Sequence, residues 1–295
     1  MAQYHAIVNL RYLVLLAVVV ASCGSARDDA APVAAATVAL SPGQAGPGAP
    51  VEMKYRLEAL PGATLPPGML VLFVHAVDAD GKVLWTDDHE PPQAVGTWKP
   101  GVPVEYTRTM FVPRSTPAGP LQIVVGLYSP STGARVPLRG EATESRAYRM
   151  ATLEIGPDPS GAFVAYTDGW HNPEASETLG REWRWSKGTG HLAFRNPMKA
   201  ADLWLELDQP VPGVASPQQI EIKAGGAVLD SFTLENQQPV IRRIAVPQEA
   251  MGAADTVDVE ITPRESFVPA SIPSLKNNDR RELGVRVFNA YLALK

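Results

Sequence analysis

The most regular feature of the chain is an alternation of apolar and polar residues. Val51, Met53, Tyr55 and Leu57 are apolar, and the charged Glu52, Lys54 and Arg56 fall between them. A period of two places one face of a strand on a core and the other in water. The same beat returns at Leu203, Leu205 and Leu207 around Trp204 and Glu206, and at Val257, Val259 and Ile261 around Asp258 and Glu260. Met69–Val77 is more continuously apolar, and Asp78-Ala79-Asp80-Gly81 then turns it into Lys82–Thr86, which predicts a hairpin. Further strands are predicted at Thr37–Leu40, Tyr106–Val112, Leu121–Tyr128, Ala134–Leu138 and Tyr148–Ile155. A second series covers Trp183–Trp185, His191–Phe194, Asp202–Leu207, Gln219–Lys223, Val228–Leu234, Val240–Val246, Thr256–Ile261 and Leu283–Leu292. Only Gln248–Ala253 predicts a helical turn. Prolines number 28 and glycines 24, which disfavours long helices.

Two series of about eight short strands each predict an all-β chain of two β-sandwich domains in tandem. The first spans 37–156, the turn-rich segment 157–161 links the two, and the second, jelly-roll-like, spans 162–295.

The N-terminus reads differently. Arg11 precedes the apolar run Tyr12–Ala21. That run is shorter than the roughly 20 apolar residues a membrane-spanning helix needs, and it has the length of a signal-peptide core, about 7–15 residues. It ends in Val20-Ala21-Ser22-Cys23. The order of an aliphatic residue, two small residues and cysteine resembles the lipobox of bacterial lipoproteins. The resemblance implies that residues 1–22 are a cleaved signal peptide. It also implies that Cys23 carries a lipid, which partners the protein with a membrane. Gly24 after the cysteine, rather than aspartate, favours the outer membrane in that family. Residues 23–36 are small and lack apolar periodicity, so they read as a lipidated tether. Cys23 is the only cysteine, so the domains are expected to stand without an internal disulfide.

The formal net charge is −5, and since the leader holds one Arg and no acid, the remainder carries −6. No basic run marks a nucleic-acid surface. There is no Gly-x-Ser-x-Gly elbow, no His-Glu-x-x-His, no phosphate-cradling glycine loop and no thiol beyond Cys23. The expectation is therefore a non-enzymatic protein with no cofactor. Glycoside hydrolysis needs only two carboxylates about 5–10 Å apart, which leaves Glu174, Glu177 and Glu182 as residues for a hydrolase alternative. His75, Asp78, Asp80, Asp87, Asp88 and His89 have the chemistry of metal ligands. The Asp78 turn lacks the downstream Glu of a calcium loop, and a hydrogen bond between His75 and Asp88 is the simpler expectation, so no metal is assigned.

Two stretches resemble known envelope modules. Leu72–Lys82, Asp87–Pro92, Thr97–Gly101 and Ile123–Arg135 resemble an Ig-like β-sandwich module of bacterial envelope proteins, often an appendage of membrane glycosyltransferases. Gly169–Glu174, Trp183-Arg184-Trp185 and Asp279–Gly284 resemble a β-sandwich module that also accompanies glycosyltransferases of surface-polysaccharide systems. No transmembrane catalytic part is present, so the resemblance implies an accessory or recognition unit. The partners it implies are a glycan or another envelope protein, the latter joined at a sheet edge.

The second stretch supplies the candidate site: Trp170, His171, Glu174, Trp183, Arg184, Trp185, Asp279, Arg280 and Arg281. Sugar recognition uses flat aromatic faces together with carboxylate and guanidinium groups that bind hydroxyl pairs. A structural reading stands beside it. Trp183 and Trp185 share one side of a strand and suit a core, Asp279 and Arg281 suit a loop clasp, and Glu174 suits an arginine partner.

Overall fold

The computed structural model describes residues 30–143, 145–157, 161–176, 181–209, 217–236 and 238–295. Residues 1–22, Cys23 and the start of the tether lie outside the described residues, as do linker residues 158–160.

The chain is all-β and forms two sandwiches in tandem. The first is built from β1 (Ala34–Ser41), β2 (Gln44–Ala45), β3 (Pro50–Ala59), β4 (Val71–Val77) and β5 (Val83–Thr86), followed by β6 (Val104–Phe111), β7 (Gly119–Tyr128), β8 (Arg135–Val136), β9 (Leu138–Arg139) and β10 (Tyr148–Ile155). The second begins with β11 (Gly161–Ala162), β12 (Ala165–Tyr166), β13 (Glu174–Ser176), β14 (Arg181–Trp185), β15 (Gly190–Arg195) and β16 (Ala201–Asp208). It continues with β17 (Gln218–Ala224), β18 (Ala227–Leu234), β19 (Val240–Val246), β20 (Thr256–Pro263) and β21 (Arg286–Leu294), and α1 (Gln248–Met251) is the short helical turn.

In the first sandwich one sheet runs β6-β3-β1-β9 and the other runs β2-β10-β7-β4-β5, with β8 beside β7. In the second, one sheet runs β13-β14-β21-β16-β19 with β11 beside β21, and the other runs β12-β15-β20-β17-β18. The alternation read from the sequence becomes burial. Val51, Met53, Tyr55 and Leu57 of β3 are buried while Lys54 and Arg56 face water. β1 starts at Ala34, three residues before the strand predicted at Thr37, so the tether is shorter than 23–36. Ala34 and Ala36 are buried and pair with Ala59 and Leu57 of β3. Alanine lacks the bulk that makes a strand conspicuous, yet it packs well where two sheets approach closely.

Each sandwich has its own apolar core, and Pro32–Lys295 forms one compact unit. Tyr291 of β21 also packs against the first core, so the two sandwiches touch.

Of the residues with the chemistry of metal ligands, His75, Asp78, Asp87, Asp88 and His89 each hold a hydrogen bond or ion pair within the first sandwich. The Asp78 carboxylate accepts from the backbone N–H of Asp80 and Lys82 and closes the hairpin turn. Asp88 accepts from Val74 N–H at 3.0 Å and lies 3.4 Å from His75 Nε2. Burial alone would raise the Asp88 pKa, but the hydrogen bonds from His75 and Val74 outweigh it and hold the carboxyl below its ordinary value. Asp87 receives both forks of Arg108, at 2.8 and 2.7 Å.

His89 joins the two sheets of the first sandwich. Its Nδ1 lies 2.7 Å from the Asp87 carbonyl, so Nδ1 carries the proton. Nε2 is then free to accept from the Tyr106 hydroxyl at 2.8 Å. Tyr106 stacks on the fully buried Tyr55 with ring centres 4.9 Å apart, and Tyr55 meets the His89 ring edge-on at 5.2 Å. A second proton on this imidazole would reverse the Tyr106 hydrogen bond, with Nε2–H donating to the phenolic oxygen. Burial, aided by the Arg108 charge, keeps the His89 pKa below its ordinary 6.5.

A depressed histidine pKa means that the folded state binds fewer protons than the unfolded chain. Its contribution is complete above about pH 6.5 and is lost as pH falls toward the folded pKa. Urea unfolding at pH 7.5 and at pH 5 is expected to show lower stability at pH 5, before the carboxylates titrate. A His89→Gln variant is expected to be less stable at neutral pH and flatter across this interval; an equally steep slope in the variant would assign the effect elsewhere.

Candidate functional site

Of the residues predicted from the sequence, His171, Glu174, Trp183, Arg184, Trp185, Asp279 and Arg281 lie at the β13–β14–β21 side of the second sandwich, where they play different parts, whereas the Trp170 ring packs against β12 and β15. β13 pairs with β14, placing Glu174 opposite Trp183. β14 pairs with β21, placing Arg184 opposite Val287 and Trp185 opposite Arg286.

Trp170 and Trp185 are buried, so the expectation that they offer open faces to a sugar is corrected. Trp170 lies in the second core, donates its indole N–H to the His191 carbonyl at 2.7 Å, and meets Tyr166 edge-on at 5.0 Å. A β-carbon at Gly190 would stand 2.5 Å from the Trp170 ring, so glycine there is what admits the indole. Trp185 forms a satellite core with Phe267 and Leu283. Both were attractive in the sequence because aromatic residues suit cores and binding faces equally.

Arg281 is the predicted clasp. It donates to Glu174 at 2.6 Å and to both oxygens of Asp279, tying the loop before β21 to β13. The guanidinium hydrogen bond holds the Asp279 carboxyl below its usual value, and the two carboxylates push the Arg281 pKa up. His171 donates from Nε2 to the Glu282 carbonyl at 2.7 Å, and its backbone N–H donates to the Trp185 carbonyl at 2.9 Å. Arg280 is exposed. Of the hydrolase carboxylates, Glu174 is engaged by Arg281, Glu177 lies outside the described residues, and Glu182 is exposed.

Beside these a ladder of arginines and rings fixes the outer face of the sheet. Arg286 bonds both oxygens of Asp208 at 2.8 and 2.7 Å. Its guanidinium carbon lies 5.1 Å from the Trp183 ring centre and 4.8 Å from that of Phe288. Asp208 is only 1 % exposed, and burial raises its carboxyl pKa despite the Arg286 hydrogen bonds. Arg181 lies 3.8 Å over Phe288 and pairs with Glu206.

Trp183 and Arg184 have a further role. With Phe163, Tyr166, Glu182 and Phe288 they line an open cleft of about 400 Å³, and Arg114 reaches it from the first sandwich. Phe163 is 81 % exposed, an aromatic ring left in water at the cleft wall. The Arg184 guanidinium lies 5.1 Å from the Tyr166 ring centre. The Trp183 indole N–H is buried with no hydrogen-bond partner among the described residues. A buried donor left unpaired costs about 1–3 kcal/mol. The cleft therefore offers flat apolar faces together with two cations and one carboxylate, the mixture that orients a polar ligand with apolar faces.

Tyr166 escaped the sequence reading because it stands on a strand of only two residues, too short to show a period, and Phe163 because it lies between two such strands. Arg114 escaped it because it belongs to the other sandwich. A bulky ring just after a turn-rich linker was the one available signal.

No family model matches the chain, and no curated protein matches its sequence. Several solved structures show partial likeness. A family GH115 4-O-methyl-α-glucuronidase with specificity for decorated arabinogalactans aligns at 12% identity over 50% of this chain and 19% of its own, with a TM-score of 0.30. A tandem of two CBM22 domains from Paenibacillus barcinonensis Xyn10C aligns at 13% identity over 84% of this chain and 79% of its own, with a TM-score of 0.29. The CBM36-1 domain of a multidomain xylanase from the hindgut metagenome of Trinervitermes trinervoides aligns at 10% identity over 44% of this chain and 94% of its own, with a TM-score of 0.24. Scores of this size do not establish a shared topology, and the chemistry of the cleft has to come from its own residues.

Trp170→Ala and Trp185→Ala are each expected to lower the unfolding free energy by about 3–5 kcal/mol, the usual cost of truncating a buried Trp. Urea titration followed by tryptophan fluorescence measures this; unchanged midpoints would return both rings to the list of exposed faces.

Proposed function

We propose that this protein recognises carbohydrate without transforming it, and does so as a lipid-anchored component of the bacterial cell envelope. The observation that carries the first part is the cleft, with the Phe163 ring held in solvent beside Tyr166, Trp183, Arg184 and Glu182. An exposed phenylalanine gains nothing for folding. Against a pyranose it has a partner, because the C–H-bearing face of a sugar is apolar while its hydroxyl edge is polar. Arg184 and Glu182 stand two residues apart on β14, where a guanidinium and a carboxylate can bind hydroxyl pairs as donor and acceptor.

The second part rests on the Val20-Ala21-Ser22-Cys23 motif. A lipid on Cys23 would hold the sandwiches near a membrane through the short tether, with Gly24 favouring the outer membrane. A single acyl chain binds a membrane only marginally, whereas several chains on one cysteine anchor it stably.

Calorimetric titration with oligosaccharides from envelope polysaccharides tests the recognition. Phe163→Ala is expected to weaken binding about tenfold, equivalent to about 1.4 kcal/mol, with the melting temperature unchanged. Equal affinity in that variant would remove the cleft from the binding site. For the anchor, Cys23→Ala is expected to move the protein from the membrane to the soluble fraction with its melting temperature nearly unchanged; continued membrane association would exclude lipidation as the tether.

A further inference from the structure

The polar groups of the cleft are unevenly charged. Arg114 and Arg184 line it against one carboxylate, Glu182. Five other arginines of the second sandwich are matched, Arg181 with Glu206, Arg242 with Asp230, Arg243 with Asp202, Arg281 with Glu174 and Asp279, and Arg286 with Asp208, whereas Arg195, Arg264 and Arg280 are unmatched among the described residues but do not line the cleft. Among the described residues, neither Arg114 nor Arg184 makes an ion pair, and nor does Glu182. A chain of net charge −5 thus leaves two guanidinium groups unneutralised at one aromatic cleft.

The two arginines come from different sandwiches yet act on the same point. Tyr166 shows this. Burial pushes its hydroxyl pKa up to about 12, and Arg114 and Arg184 both oppose that rise, so the field of each reaches the Tyr166 oxygen. Arg114 stands just past β6, and its stem runs beside Gly48, where a β-carbon would lie 3.7 Å from Arg114 Cγ. Glu182 and Arg114 are exposed at the rim, whereas Arg184 is half-buried against the Tyr166 ring, so of the three charges Arg184 sits deepest.

We infer that the cleft is selective for an acidic glycan, with the carboxylate of a uronic acid residue held between Arg114 and Arg184 and the sugar ring set against Phe163 and Tyr166. This rests on the glycan reading above and names the class of sugar. Guanidinium matches carboxylate because its parallel N–H groups meet both oxygens, and such charge-assisted bonds are roughly twice as strong as neutral ones. The aromatic faces favour a sugar over a peptide, since a polyglutamate chain presents charge but no flat apolar face. The placement of Arg114 also makes the first sandwich a contributor to recognition, not a spacer.

The test uses the full chain, purified in detergent. Oligosaccharides of polygalacturonate, alginate and hyaluronate are titrated beside their carboxyl-reduced forms, with oligoglutamate as a non-sugar anion. The expected result is at least one uronate oligosaccharide binding tenfold or more tightly than its reduced form, with the difference shrinking as salt rises. Arg114→Gln with Arg184→Gln is expected to abolish that difference, so that the acidic and reduced forms bind equally. Equal binding of acidic and reduced sugars would overturn the acidic selectivity and keep the glycan reading. Oligoglutamate binding as tightly as the best uronate would overturn the sugar assignment, and binding of no sugar would overturn both. Selectivity retained in the Arg114→Gln single variant would overturn the part given to the first sandwich.

Discussion

Arg286 and Asp208 lie directly opposite each other on β21 and β16, and their bidentate ion pair is almost wholly removed from water. A buried pair of this kind contributes little net stability, because desolvation offsets the attraction, but misplacing one partner strands the other at a cost of about 3–5 kcal/mol. The pair therefore acts on register. One residue of slip along β21 would leave Asp208 charged and alone, and would also turn every side chain of the strand to the wrong face. Val287 and Phe288, the next two residues, form part of the cleft wall, and β14 takes its own register from β21. The position of Trp183 and Arg184 is thus set by a contact that does not itself line the cleft.

The period-two strands were legible in the sequence because the physics that buries them is local. Side chains two apart share a face whatever the strand pairs with, so β3, β16 and β20 could be read from their own residues. The predicted and observed bounds of Tyr148–Ile155 coincide. What failed to show was short or small: the alanines that begin β1, and the two-residue pairs at Gly161–Ala162 and Ala165–Tyr166.

The site was legible in chemistry and not in role. Trp170, Trp183 and Trp185 share a residue type, but their exposure depends on partners distant in sequence. Gly190 and His191 admit Trp170, Phe267 covers Trp185, and Arg286 lies over Trp183. Asp279 and Arg281 became a clasp because Glu174 arrives on the opposite side of Arg281, over a hundred residues earlier in the chain. Only the folded sheet sorts these residues into those that hold the loops and those that face the cleft. The first sandwich supplies its one contribution, Arg114, from a loop whose sequence gave no hint of binding.

The place of β21 in the sheet has a consequence for how the protein comes into being. This strand sits between β14 and β16 and also receives β11, yet it follows them all in the sequence. During synthesis the second sandwich lacks its central strand until residues 286–294 have emerged, and its pairings reach back as far as Gly161. Contacts so distant along the chain form slowly. A protease that removed the last ten residues would take away Phe288 from the cleft wall, the strand that β14 pairs with, and Tyr291, which packs against the first core, all in one cut.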